Sequence, residues 1–149
     1  DQHDIRLPLI QEVIGTLSPL EGAQAFTVWL KSQVRVIILS DTFAEFAQPL
    51  MAQLDYPTLF CHSLVVDAEG RITGYQLRQQ DQKRKAVEAF RSLNFEIIAA
   101  GDSYNDLTML KSADHGILFR PSAQFAAENP ELPVTHLHDE LKAEILKVL

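Results

Sequence analysis

Two stretches of this chain follow one pattern: a run of apolar or β-branched residues, a polar turn, then a helical period. The first is Val34-Arg35-Val36-Ile37-Ile38-Leu39, which leads through Ser40-Asp41-Thr42 into helical spacing over 43–54, with Phe43, Phe46, Ala47, Leu50, Met51 and Leu54. The second is Glu96-Ile97-Ile98-Ala99-Ala100, followed by Gly101 through Asp106 and a short helix over 105–112. A continuous β-branched run reads as an interior strand with both faces covered. Alternation of strands and helices favours a mostly parallel sheet between helical layers, an α/β class of fold. Such sheets place ligands beyond the carboxyl ends of their strands, where both polar turns fall.

The other elements fit the same alternation. A helix is predicted over 9–17, where Ile10, Val13, Ile14 and Leu17 share one stripe, and Pro19 stops it. A second stripe follows Gly22, with Ala25, Phe26, Trp29 and Leu30. Residues 58–60 read as a short strand. Residues 64–66 and 72–77 flank the turn Asp67-Ala68-Glu69-Gly70 as a hairpin. Then come a helix near 83–93, a strand at 116–119, a proline-containing connection, a strand at 133–135 and a helix over 138–148. With 149 residues, 46% of them hydrophobic, the chain can bury one core, and a single domain is the simplest organisation.

The formal charge of −7 disfavours nucleic acid or an anionic membrane as partner. A small anionic substrate stays open if a cation bridges it to the protein. No apolar run approaches the roughly 20 residues that span a bilayer, and the N-terminus has no basic-then-apolar secretion pattern. The single cysteine, Cys61, excludes an internal disulfide, and a reducing, cytoplasmic compartment is expected. The sequence opens on Asp1 rather than Met, as a processed, truncated or trimmed N-terminus would.

Asp102 and Asp106 are four residues apart, the first in a turn after a strand and the second in the first turn of a helix, so they should converge. Gly101 would let the backbone bend, and Asn105 and Asp106 can engage free donors at the helix start. A hard cation such as Mg2+ would relieve the repulsion and draw in a phosphate. Helix capping accounts for the same residues without chemistry. Ser40, Thr42 and nearby N–H groups could hold phosphoryl oxygens, although turn formation explains a lone Ser-Asp-Thr equally well. Arg78, Lys83, Arg84, Lys85 and Arg91 form the densest basic patch, which ordinarily is a solvated helix face. Lys83 is its best candidate for neutralising phosphate charge.

Several stretches together resemble the haloacid dehalogenase superfamily, in its phosphoserine phosphatase branch, and most closely the bifunctional phosphoserine phosphatase/homoserine phosphotransferase group. They are Pro19–Gly22, Val36–Thr42, Gly74–Arg78, Lys83-Arg84, and Ala99–Asp106 followed by Thr108-Met109-Leu110. The resemblance implies a three-layer Rossmann-like core with a small helical cap. It assigns Ser40 to phosphate binding, Lys83 to charge neutralisation, Asp102 and Asp106 to the Mg2+ centre, Asp102 as ligand and Asp106 as the residue that orients the metal-phosphate-lysine network, and Asn105 to the substrate or its phosphate, the substrate being a small phosphorylated amino acid. In that family a separate aspartate attacks phosphorus to form an aspartyl-phosphate, and a second aspartate two residues later handles the leaving-group proton.

That pair should form an Asp-x-Asp motif after a strand ahead of Ser40, and none is present. Asp1 and Asp4 are three apart with no strand before them, and Asp41 belongs to the phosphate turn. The expected organisation is therefore a truncated core over 19–149 and a residual cap segment over 1–18, with no nucleophile in this chain. The polypeptide alone is expected to be inactive or nearly so, needing a missing N-terminal fragment or a second copy to complete it. Phosphoserine hydrolysis is the favoured activity of the complete protein. Transfer to homoserine and a non-catalytic assembly role are the alternatives. His136 and His138 read as a polar connection rather than metal ligands, Cys61 and His62 as no nucleophile pair, and His3 and His115 have no informative neighbours.

Overall fold

The computed structural model describes residues 6–149; Asp1, His3 and Asp4 lie outside the described residues. The chain divides into two compact units, Asp1–Gln80 and Asp81–Leu149.

In the first unit, α1 (Leu7–Gly15) begins two residues before the predicted helix. Pro8 sits in its first turn, where an N–H has no intrahelical acceptor in any case. α2 (Ala23–Gln33) starts at Gly22, whose φ of 81° is the left-handed conformation that glycine adopts without strain. β1 (Ile37–Phe43) is followed by α3 (Ala44–Gln53), and β2 (Thr58–Val66) by β3 (Ile72–Gln76). β2 joins the two pieces predicted at 58–60 and 64–66 into one strand. It pairs parallel with β1 and antiparallel with β3. The hairpin turn is held by the Asp67 carboxylate, which accepts from the N–H groups of Glu69 and Arg71 at 3.0 and 2.8 Å.

Pro49 lies inside α3 and cannot donate to the carbonyl of Glu45, four residues back. The Gln11 amide on α1 donates to that carbonyl instead, at 2.8 Å. Gln53 of α3 returns a bond at 2.9 Å to the carbonyl of Leu17, two residues past α1, so both ends of α3 are tied to the α1 segment.

The second unit alternates α4 (Gln82–Ser92), β4 (Ile98–Gly101), a single 3-10 turn (Tyr104–Asp106), α5 (Leu107–Ser112), β5 (His115–Phe119), α6 (Ala123–Glu128), β6 (Val134–Thr135) and α7 (His138–Leu146). Its strands form a parallel sheet in the order β4-β5-β6. Here lies most of the described core: Val87, Met109, Leu110, Ile117, Leu118, Phe125, Leu141 and Ile145 are all buried. In the first unit Ala47 is the one apolar residue of the described core, and Leu9, Val13, Leu17, Leu20 and Val28 are all more than half exposed.

Two expectations change. β1 and β4, read as interior strands, are each at an edge of a three-stranded sheet, because each has a strand partner on one side only among the described residues. α6 was read as connection. Ser122 caps it, its Oγ accepting from the Phe125 N–H at 3.2 Å, and Phe125 is buried beneath it.

Candidate active site

The geometry of the acidic loop starts with its glycine. Gly101 ends β4 with no positive φ, so the bend it was expected to permit is not its function. A β-carbon at this position would lie 2.5 Å from Cβ of Asp106 and 2.7 Å from its Cγ and Oδ2. Glycine is there because the Asp106 side chain folds back against the end of the strand.

That position lets one carboxylate satisfy several donors. Asp106 Oδ2 accepts from the backbone N–H groups of Asp102 at 3.0 Å and Ser103 at 3.3 Å, and from the Ser103 hydroxyl at 3.4 Å. Asp106 and Ser103 thus form a reciprocal capping box around the 3-10 turn. Asp106 Oδ1 receives the Lys83 ammonium at 2.8 Å from the first turn of α4. Asp106 is 6% exposed, so this is a buried ion pair rather than a surface one. Burial is the largest single influence on Asp106 and pushes its pKa up. The Lys83 hydrogen bond, the Asp102 and Ser103 N–H groups and the Lys83 charge together outweigh it and hold the carboxyl below its ordinary value.

A second bond links the same two segments. Asp81, two residues before Lys83, accepts from the hydroxyl of Thr108, two residues after Asp106, at 3.2 Å, and it also holds Arg84. The Arg84 hydrogen bond is the main reason that Asp81 titrates below the ordinary value. Arg84 also reaches Glu88, so it belongs to α4's surface pairing and not to the acidic loop.

Asp102 and Asn105 are exposed. Since both Asp106 oxygens are engaged, Asp102 carries the open carboxylate of the loop. Among the described residues no group of three or more His, Cys, Asp or Glu side chains is placed to hold a metal. One open carboxylate in an oxygen-rich loop fits one corner of a magnesium site, whose octahedron takes most of its ligands from water and phosphate. Asp106 is suited to positioning Lys83 and the loop rather than to direct ligation.

Ser40 and Thr42 belong to the other unit. The turn expected after the strand is instead an irregularity within β1: Leu39 pairs with Phe60 and Phe43 with His62, so four residues advance against two. Ser40 Oγ accepts from the Thr42 N–H at 3.3 Å inside it. His62 is buried, and its Nδ1 accepts from the Arg78 N–H at 3.1 Å. Burial, with Glu45 nearby, raises the pKa of Cys61 and so favours the neutral thiol. His138 packs on the Phe119 ring, with centroids 5.0 Å apart.

Tyr104 was not singled out in the sequence, and the structure gives it a role. Its ring lies 4.6 Å from that of Phe125, and its hydroxyl donates to Glu128 Oε2 at 2.7 Å. The bond raises the tyrosine pKa and lowers that of Glu128, which also accepts from Gln124. Ser122 as a cap with apolar Phe125 three residues on was the available sign of the helix that carries Glu128.

The sequence pattern of haloacid dehalogenase-like hydrolases matches residues 4–111. The chain belongs to this family. Over 147 residues it is 55% identical to the phosphoserine phosphatase ThrH of Pseudomonas aeruginosa and 56% identical to a phosphoserine phosphatase of Pseudomonas syringae pv. tomato. Each match takes in 99% of this chain, which spans 72% of the first relative's length and 62% of the second's. A crystal structure of phosphoserine phosphatase in apo form superposes with a TM-score of 0.77 at 23% identity, covering 98% of this chain and 74% of that one. It shows the shared Rossmann-like fold. No helix among the described residues is long and apolar enough to cross a membrane.

Proposed function

We propose that this chain carries the charge-handling part of a phosphomonoesterase that works through an aspartyl-phosphate, with L-phosphoserine as substrate of the complete protein. The observation that carries this is the buried Lys83–Asp106 pair beside the open carboxylate of Asp102. The two relatives above 50% identity, both named phosphoserine phosphatase, support the choice of substrate.

Asp106 stays ionised and fixes both the Lys83 ammonium and the backbone of the loop. Lys83 then presents positive charge to a phosphoryl oxygen without reorganising during the reaction. Asp102 would hold Mg2+, which when bound supplies Lewis-acid stabilisation of the transferred phosphoryl group. Ser40 and Thr42 would bind phosphoryl oxygens, and Asn105 the substrate. The nucleophilic aspartate is supplied from outside these 149 residues. Among the described residues β1 and β4 are each the end strand of their sheet, the position at which a strand from an N-terminal fragment or a second copy would add. Water and an alcohol compete for the same aspartyl-phosphate, so transfer to homoserine is the related activity.

The test is steady-state release of phosphate from L-phosphoserine by the 149-residue protein and by a chain restored with an N-terminal Asp-x-Asp segment. The restored chain should turn over and lose at least a hundredfold in Asp102→Asn, while the short chain shows no turnover. Product analysis with homoserine present separates hydrolysis from transfer. Robust turnover by the short chain that vanishes in Asp102→Asn would overturn the external nucleophile. A restored chain that ignores phosphoserine but hydrolyses another phosphomonoester would overturn the substrate.

A further inference from the structure

The loop Asp102–Asp106 is tied from two directions. Lys83 and the capping box hold Asp106, whereas Tyr104 leaves the loop for α6. Its ring packs on Phe125, which is 1% exposed and so gives a rigid floor. The hydroxyl reaches Glu128 Oε2, and Gln124, one turn earlier on α6, donates to the other oxygen of that carboxylate at 2.9 Å. Both partners of the phenol, the buried Phe125 and the exposed Glu128, thus lie on one helix, whose start is capped by Ser122.

We propose that Tyr104 and Glu128 form a positioning pair that sets where the Asp102 carboxylate stands, in addition to the Lys83–Asp106 pair. The proposal rests on the assignment of Asp102 to the cation. Tyr104 is two residues from both Asp102 and Asp106, so a shift of its backbone moves both. The donors to Asp106 Oδ2, the N–H groups of Asp102 and Ser103, lie on the same short segment and report that shift directly. Tyr104 is not a catalytic residue here; it acts through the loop.

The test uses the 149-residue protein and the variants Tyr104→Phe, Glu128→Ala, Glu128→Gln and Asp102→Asn. Amide exchange is read at Asp102 and Ser103 and compared with β5, which reports global opening. Mn2+-induced broadening of the loop amides reads a cation site too weak for calorimetry. Tyr104→Phe keeps the ring on Phe125 and removes only the hydroxyl. It and Glu128→Ala should each speed exchange at Asp102 and Ser103 about three- to tenfold with β5 unchanged, the range expected for one hydrogen bond. Both should also weaken the Mn2+ effect. Glu128→Gln, whose amide oxygen still accepts from the phenol, should restore both readouts. If Asp102→Asn abolishes the Mn2+ effect while Tyr104→Phe and Glu128→Ala leave exchange and broadening at parent values, the positioning role is overturned alone. Mn2+ broadening that survives Asp102→Asn overturns the cation assignment, and the exchange data then decide the loop tie separately. Equal acceleration in the loop and in β5 would reduce the pair to general stability and also overturn it.

Discussion

Gly101 and Asp106 occupy space that only a residue without a β-carbon leaves open: an added Cβ would sit 2.5 Å from the Asp106 Cβ. The carboxylate reaches the Asp102 and Ser103 N–H groups only because the strand end is bare at that point.

Gly101→Ala should therefore displace the Asp106 side chain rather than stiffen the turn. Overpacking of this kind costs about 1–3 kcal/mol, and the Lys83 contact should weaken with it. Urea unfolding gives the stability loss. Amide exchange at Asp102 and Ser103, faster in the variant than in the parent, shows where it originates. A variant as stable as the parent would mean that the loop has room the structure does not show.

Lys83→Met should leave the buried Asp106 carboxylate without its cation while keeping an unbranched apolar stem one atom shorter. Removing one partner of a buried pair is destabilising by roughly 3–5 kcal/mol, and the lower end is expected because the Asp102, Ser103 and hydroxyl donors remain. The pH dependence follows from the lowered pKa of Asp106. Its ionised form is favoured by folding, so its contribution is full above the unfolded aspartate value of about 3.9 and is lost as pH falls through the folded value. The stability gap between parent and Lys83→Met should thus be largest near neutrality and narrow below about pH 4. Urea midpoints at neutral and acidic pH measure it, and a gap that widens in acid would contradict the ion pair.

Gln11→Leu tests the tie between α1 and α3. It removes the donor to the Glu45 carbonyl that Pro49 cannot serve. A part-buried carbonyl left without a donor costs about 1–3 kcal/mol. The companion change Pro49→Ala restores an intrahelical N–H, so Gln11→Leu should cost measurably less in that background. Equal losses in both backgrounds would rule out this account of Gln11.

Much of the fold was legible because it depends on local order. The hydrophobic period switches from strand to helix after Leu39 and after Ala100, and those switches mark the ends of β1 and β4 to within a few residues. Asp67-Ala68-Glu69-Gly70 marked the hairpin for the same local reason, since Asp67 and Gly70 act within their own turn. α6 did not register because Phe125 is its one large apolar residue, too little for a helical stripe, and the buried face of Phe125 is defined only by the elements packed against it.

The sequence by itself determined the alternation of strands and helices, the composition of the acidic loop and the candidates Lys83, Asp102 and Asp106, because residue type and short spacing are properties of the chain. Only the tertiary structure decided that Lys83, 23 residues from Asp106, meets it at 2.8 Å, that Gly101 is required by that aspartate's side chain, and that Tyr104 turns to Glu128. Those contacts join residues on different elements, and their distances depend on how the helices pack across the sheet, which no local period encodes.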